Sequence, residues 1–369
     1  MQRAGNRMSM KPVQLTEKIA IGEGHPCFVI AEAGVNHNGD LGMALEMVSV
    51  AAAAGADAIK FQSFKTENII TRVAPKAQYH IETTGDDQHQ SWFDLLKTQE
   101  LTDEMHVAIK RECEQRGILF MSTPYDTDSA DLLDRLEVVA IKVASTDANN
   151  ISFLEYLADK GRPIILSTAM STMAEVAASV AAIHARGLQD LVIMQCTGNY
   201  PSVAADANLR AMQTMGERFN VPAGYSDHVP GSYAAVAAVA MGAHAYEKHF
   251  TLSRDLPGPD HRASLEPDEL KDLVAAIRLA ESMLGDGVKK VMPSEEKNRM
   301  LLRKNIVAAR GVTPGRVLGA DDIRVVRNGG RGLPADRYHE VLGRTARVAL
   351  SGDQPIEEDV LVSGVSPHQ

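Results

Sequence analysis

Two short segments carry the strongest chemical signal in the chain. One reads Gly224-Tyr225-Ser226-Asp227-His228 and the other Tyr246-Glu247-Lys248-His249-Phe250. If both are strands, side chains alternate between faces, so Ser226 shares a side with His228, and Glu247 shares one with His249. Two imidazoles from adjacent strands, with a carboxylate nearby, suit a divalent metal that keeps open positions. Either histidine alone reads as an ordinary hydrogen-bonded residue; the pair, each with a polar companion, points to a metal. Asp227 and Lys248 then face the opposite way, which makes Lys248 a poor Schiff-base candidate.

Lysines inside apolar runs add a second signal. Ala58-Ile59-Lys60-Phe61-Gln62 puts Lys60 and Gln62 on one face, and Ala140–Ser145 puts Lys142 and Ala144 on one face. A buried ammonium costs several kcal/mol unless its charge is paired. One such lysine reads as a surface residue, whereas two on interior strands point to an anionic ligand, a phosphate or carboxylate. Ser167 and Thr168, after Ile164-Ile165-Leu166, add hydroxyl donors. Glu32 ends another apolar run, either as a general base or water-orienting group or as a salt-bridge partner of Lys60. Asn36-His37-Asn38 follows it, and Asp260 sits in a Gly-Pro turn that can close over the site. Cys196 reads as a small buried residue rather than a nucleophile. The run Arg327-Asn328-Gly329-Gly330-Arg331-Gly332 reads as a turn, since a phosphate loop needs a strand before it and a helix after it.

These residues need a frame that gathers strand ends. The apolar runs are Phe28–Ala33, Ala58–Ser63, Ile118–Ser122, Val139–Ala144, Ile164–Thr168, Leu191–Cys196, Ala223–Ser226 and Ala245–Phe250. Amphipathic stretches lie between them, among them Gly42–Ala54, Thr102–Arg116, Ser152–Lys160, Thr172–Ala185 and Ser232–Met241. Strands alternating with helices imply parallel pairing. Eight such units over residues 27–285 predict an α/β fold, a (β/α)8 TIM barrel, whose active site lies at the C-terminal ends of the strands. An open doubly wound sheet is the alternative, but the turn after the first run lacks its glycine pattern. Residues 1–26 read as an N-terminal extension, 286–300 as a linker and 301–369 as a small β-rich domain. In that domain Ala309-Arg310, Gly315 and Asp322-Ile323 recur as Ala346-Arg347, Gly352 and Asp359-Val360, which suits pseudo-twofold symmetry.

Composition narrows the function. The 369 residues carry a net charge of −10, which argues against a general nucleic-acid binder. Residues 299–369 hold 11 basic and 8 acidic side chains, so a basic tail follows an acidic body. Three scattered cysteines, Cys27, Cys113 and Cys196, indicate neither a disulfide framework nor a zinc knuckle. No secretory signal or membrane span is read, which gives a cytoplasmic expectation.

Together these segments resemble the sialic acid synthase family, whose members make N-acetylneuraminic, legionaminic and pseudaminic acids. The resemblance rests on IAEAGVNHNGD (30–40), GADAIKFQSFKTENI (55–69), GILFMSTPYD (117–126), IKVASTDANN (141–150), PIILSTAMS (163–171), GYSDHVPG (224–231), EKHFTLSRDLPGPDH (247–261) and SLEPDEL (264–270). The tail resembles the family's antifreeze-like (SAF) domain, with Arg327-Asn328-Gly329 where Arg-Pro-Gly is common.

The resemblance implies a barrel and an antifreeze-like domain in a domain-swapped homodimer. It implies condensation of phosphoenolpyruvate with an N-acylmannosamine-type aldehyde, giving a nine-carbon 2-keto sugar acid and phosphate. By motif, His228 and His249 correspond to the metal ligands; Mn²⁺ suits them, with Mg²⁺ as the other candidate. Lys60, Lys142, Ser145, Ser167 and Ser226 fall at phosphoenolpyruvate-binding positions. Glu32 falls near the attacking water, and Gln62, Tyr200, Glu247 and Asp260 at further active-site positions. Arg327 of the partner's tail would hold the N-acyl group. Asp147 stands where many members have Glu, one methylene longer. The rival readings are a pyruvate lyase with a Schiff base on Lys60 or Lys142, and a non-catalytic carbohydrate-binding barrel. The choice of sugar falls to loops such as Val73–Gln90, which the sequence does not place.

Overall fold

The computed structural model describes residues 10–85 and 90–362; four residues of the Val73–Gln90 loop, and the ends of the N-terminal extension and of the tail, lie outside it. The chain forms two compact units, Met1–Gly285 and Asp286–Gln369.

The first unit opens with a short antiparallel hairpin, β1 (Val13–Gln14) and β2 (Ala20–Ile21). Eight parallel strands follow: β3 (Phe28–Gly34), β4 (Ala58–Ser63), β5 (Leu119–Pro124), β6 (Ile141–Val143), β7 (Ile164–Ser167), β8 (Leu191–Cys196), β9 (Ala223–Asp227) and β10 (Ala245–His249). They hydrogen-bond in the order β5-β4-β3-β10-β9-β8-β7-β6. The end strands β5 and β6 pack side by side without a ladder, so the sheet curls into a near-closed barrel. A helix follows each strand, from Leu41–Ala54 after β3 to Pro267–Leu284 after β10. This is the TIM-type α/β architecture expected from the alternating pattern.

Two separate cores follow from the strands' period of two. Outward residues such as Val29, Ile59, Phe61, Val143, Leu166, Ile193, Tyr225 and Tyr246 pack against the helices. Inward residues Phe28, Ile30, Ala58, Met121, Ala140, Ile165, Val192, Met194 and Ala245 fill the lumen. Val13 and Ile21 join this lumen core, so the N-terminal hairpin plugs the barrel's N-terminal end. The lumen is apolar there and becomes polar toward the C-terminal strand ends, where a site belongs.

Several boundaries differ from the sequence reading for local reasons. Thr102 and Thr172, expected as first helical residues, are N-caps, each accepting a backbone N–H of its first turn. β5 runs two residues beyond the expected end, which brings Thr123 onto the inward face. The segment between β4 and Asp103–Arg116 folds into Thr66–Ile69, Gln78–Thr84 and Trp92–Lys97, helices too short for a periodic signal.

The second unit pairs β11 (Lys304–Ala308) antiparallel with β12 (Ile323–Arg327) over a small core of Ile306, Val312, Leu318, Ile323, Leu350 and Ile356. The repeated segments meet at Val312 and Leu350, whose N–H groups each donate to the other's carbonyl at 2.9 Å. Asn328 closes the glycine-rich turn by accepting the Arg331 N–H and donating to the Arg331 carbonyl.

Candidate active site

Lys60 is the hub of a buried polar network at the C-terminal end of the lumen. Its Nζ lies 2.7 Å from Glu32 Oε2 and 3.7 Å from Glu247 Oε1, and donates to Thr123 Oγ1 at 3.0 Å. Lys142 Nζ donates to Ser167 Oγ at 2.6 Å and lies 3.7 Å from the same Glu247 oxygen. Ser226 Oγ donates to that oxygen at 3.4 Å, and Gln62 Nε2 donates to Glu32 Oε1 at 3.4 Å. Apart from Lys60 and Gln62, which share β4, each of these side chains is supplied by a different strand, at the inward position above the apolar lumen core. Glu32 therefore carries out the salt-bridge reading of the sequence and still lies within the polar network.

Two lysines and two glutamates thus face one another in a buried quartet. Burial pushes Glu32 up to about 7, against the pull of Lys60. Burial also disfavours the Glu247 carboxylate, but Lys142 and Lys60 outweigh it and hold Glu247 below its usual range. Burial opposes the Lys60 charge too; Glu247 and Glu32 outweigh it and raise Lys60. Burial dominates at Lys142, which is lowered.

The two histidines adjoin this network. Their ring centroids are 5.5 Å apart, and the Tyr200 ring lies 3.9 Å from His228 and 5.4 Å from His249. Burial lowers His228 to about 4 and lowers His249 well below the usual range, so both are neutral imidazoles at neutral pH. His228 Nδ1 sits 2.7 Å from the Thr197 carbonyl, which fixes its proton there and leaves Nε2 a free lone pair. His249 Nδ1 is buried without a hydrogen-bond partner. These are donors prepared for a cation, and they fit the metal reading. Among the described residues no cluster of three or more His, Cys, Asp or Glu converges to hold a metal.

Backbone detail serves the same end. A β-bulge interrupts the β3–β4 register between Glu32 and Gly34, and Gly34 has φ +54°. A Cβ there would lie 3.3 Å from the His249 ring and 3.5 Å from Gln62 Nε2. Asn36, Asn38 and His261 act as latches rather than as part of the site. Asn36 Nδ2 donates to the Phe250 carbonyl and Ser264 Oγ, and His261 bonds Thr251 and Asn38. These bonds tie the loop after β3 to the loop that carries Asp260, which is buried and pushed up to about 6 by that burial.

Not every candidate joins the network. Ser145 Oγ accepts the Ala169 N–H at 2.9 Å, bridging the loops after β6 and β7. Asp147 is half-buried, its carboxyl raised by burial, and it accepts Asn150 Nδ2 at 3.1 Å. Arg327 ends β12 in the second unit, exposed. Two residues were missed. Thr123 follows from the inward alternation set by Met121, had the strand been extended. Cys196 is buried as expected, but its Sγ lies 3.8 Å from His228 Nδ1, and alternation from Val192 and Met194 already turned it inward.

The chain matches the NeuB family over residues 47–289 and the SAF domain over residues 303–362. The chain belongs to the NeuB family. It is 40% identical to the N,N'-diacetyllegionaminic acid synthase of Campylobacter jejuni, over 89% of this chain and 98% of that one. It is 34% identical to the human N-acetylneuraminate-9-phosphate synthase, over 92% and 94%. Among solved structures, the N-acetylneuraminic acid synthetase of Leptospira borgpetersenii, determined with citrate, superposes with TM-score 0.68 at 34% identity, covering 78% of this chain and 95% of that one. The protein is thus an enzyme of this synthase family, with the SAF domain that the sequence implied.

Proposed function

We propose that this protein condenses phosphoenolpyruvate with an N-acylated amino sugar of the mannosamine type. The observation that carries the reading is the buried quartet of Lys60, Lys142, Glu32 and Glu247 beside the two imidazoles of His228 and His249. A polyanion enters that space at little cost, because the lysines are already desolvated and aimed inward. Lys60, Lys142, Ser167 and Ser226, with Ser145, hold its phosphate and carboxylate.

His228 and His249 would hold a divalent cation, Mn²⁺ or Mg²⁺, which when bound polarises the sugar aldehyde. Carbon–carbon bond formation from C3 of the enol to the aldehyde carbon leaves positive charge at C2. A carboxylate, Glu32 or Asp147, would stabilise that charge and help orient the adding water. The tetrahedral adduct then loses phosphate by C–O cleavage and leaves the 2-keto acid. Gln62, Tyr200, Glu247 and Asp260 shape the sugar's side of the pocket.

The similarity to a diacetyllegionaminic acid synthase makes a 6-deoxy diacetamido sugar the first substrate to test. Phosphate release is measured from phosphoenolpyruvate with that sugar, N-acetylmannosamine or its 6-phosphate, with product mass as identification. Sugar-dependent release that a chelator stops is expected; no release with any of them overturns the proposal. Burial lowers Lys142 and so favours its free amine, the form a Schiff-base lyase would use. Borohydride trapping with pyruvate gives no adduct if the synthase reading holds.

The working assembly in this reading is a domain-swapped homodimer in the cytoplasm. Its support is an exposed apolar strip at the end of helix Pro267–Leu284, made by Leu279, Met283 and Leu284. A second copy is the occupant that would cover it. Arg327 would then reach the partner's sugar. No described helix is long and apolar enough to cross a membrane.

A further inference from the structure

The last two barrel strands hold a charged pair on the face turned away from the site. Asp227 and Lys248 are cross-strand partners in the β9–β10 ladder, and each immediately precedes one of the two histidines. Their side chains are 0% and 2% exposed, with Lys248 Nζ 2.7 Å from Asp227 Oδ2. We propose that this pair is a positioning device for His228, clamping from the outer face the turn that aims its imidazole into the cation site. The proposal rests on the metal reading above.

The bonds show how the clamp works. Asp227 Oδ1 accepts the Val229 N–H at 2.8 Å, and Asp227 Oδ2 accepts the Tyr246 hydroxyl. Lys248 donates to the Val229 carbonyl. Both backbone groups of Val229 and the side chain of Asp227 are thereby fixed, on either side of His228. The His228 carbonyl itself accepts the Ser202 N–H at 2.8 Å, and its Nδ1 is held by Thr197. His249 needs no such device. It lies within the ladder, paired in register with Glu32. His228 stands one residue past the end of β9, where the ladder no longer holds it.

Stability alone does not account for the pair. A buried ion pair is often matched or exceeded in stability by apolar residues of similar volume. What the charges add here is directional bonding to one turn. Groups that orient a metal-binding histidine typically change metal affinity about 10–100-fold when removed.

The test uses the full-length protein and Mn²⁺ alone as probe. Asp227→Asn with Lys248→Met removes both charges, keeps the shape and leaves no unpaired buried charge. Tyr246→Phe, which removes one bond to Asp227, is the milder variant should the double one fail to fold. Mn²⁺ affinity, the Co²⁺ absorption spectrum, metal-free phosphoenolpyruvate affinity and thermal midpoint are measured for each, beside wild type and His228→Ala. The expected result is a folded double variant with Mn²⁺ affinity weakened about 10–100-fold and an altered Co²⁺ spectrum, with phosphoenolpyruvate affinity unchanged. Tyr246→Phe shifts Mn²⁺ affinity in the same direction by a smaller factor. A folded variant with wild-type Mn²⁺ affinity and spectrum overturns the positioning role. Equal Mn²⁺ binding by wild type and His228→Ala, or none by either, overturns the metal reading instead and takes this proposal with it.

Discussion

Glu32 and Lys60 illustrate how position rather than residue type sets behaviour. Both are buried, and burial holds the Glu32 proton up to about pH 7. An anion arriving at Lys60 and Lys142 adds negative potential and raises Glu32 further. Binding of phosphoenolpyruvate near pH 7 without metal is therefore expected to take up protons. Calorimetry in buffers of different ionisation enthalpy measures this; Glu32→Gln should abolish most of the uptake, and unchanged uptake would remove Glu32 as its source. Lys60→Met is expected to cost about 3–5 kcal/mol, because it leaves Glu32 and Glu247 buried with less compensation. Denaturant unfolding checks the loss, and a stability equal to wild type would contradict the pairing. Much of this was legible in the sequence. Alternation put Lys60 with Gln62, Ser226 with His228 and Glu247 with His249, and strand ends picked out Glu32 and Ser167; the structure turns Lys60, Gln62, Ser226, Glu247, Glu32 and Ser167 into one polar network. Alternation did not reveal that Glu247 is the acceptor shared by both lysines, because cross-strand distances depend on barrel closure.

The elements supply the precision that residue types cannot. The bulge at Gly34 and the hairpin under the barrel are two cases. Gly34→Ala forces an L-residue to φ +54° and presses a methyl against His249. A loss of about 1 kcal/mol or more is expected, with weakened Mn²⁺ binding. Unchanged metal affinity would show that the glycine serves the turn alone. Ile21→Ala opens the lumen plug and should cost about 2–5 kcal/mol while leaving substrate affinities unaltered, as thermal unfolding and binding titrations would show. The eight barrel strands were readable because each is a short β-branched or apolar run ended by polar residues. The plug was not, since two-residue strands carry no periodicity. The short helices between β4 and Asp103 escaped for the same reason.

At the scale of the whole molecule, two units share one chain and the charge divides unevenly between them. Arg327→Ala is expected to raise the KM for sugar about 10–100-fold, the effect of losing a charged hydrogen bond, with the KM for phosphoenolpyruvate nearly constant. Equal change in both would place Arg327 outside the sugar site. Acidic substitutions at Leu279 and Met283 should yield monomers by light scattering if the apolar strip is an interface. The sequence announced the tail by its change of rhythm, but an apolar surface left uncovered needs three dimensions to see.

The central claim is that His228 and His249 share a cation across from the lysines that hold phosphoenolpyruvate. Anomalous diffraction at the manganese edge, from crystals grown with Mn²⁺ and phosphoenolpyruvate, tests it most directly. The account predicts one strong peak bridging both imidazoles, with the phosphoenolpyruvate anion against Lys60 and Lys142. A manganese peak elsewhere, or the anion bound away from both lysines, would contradict it.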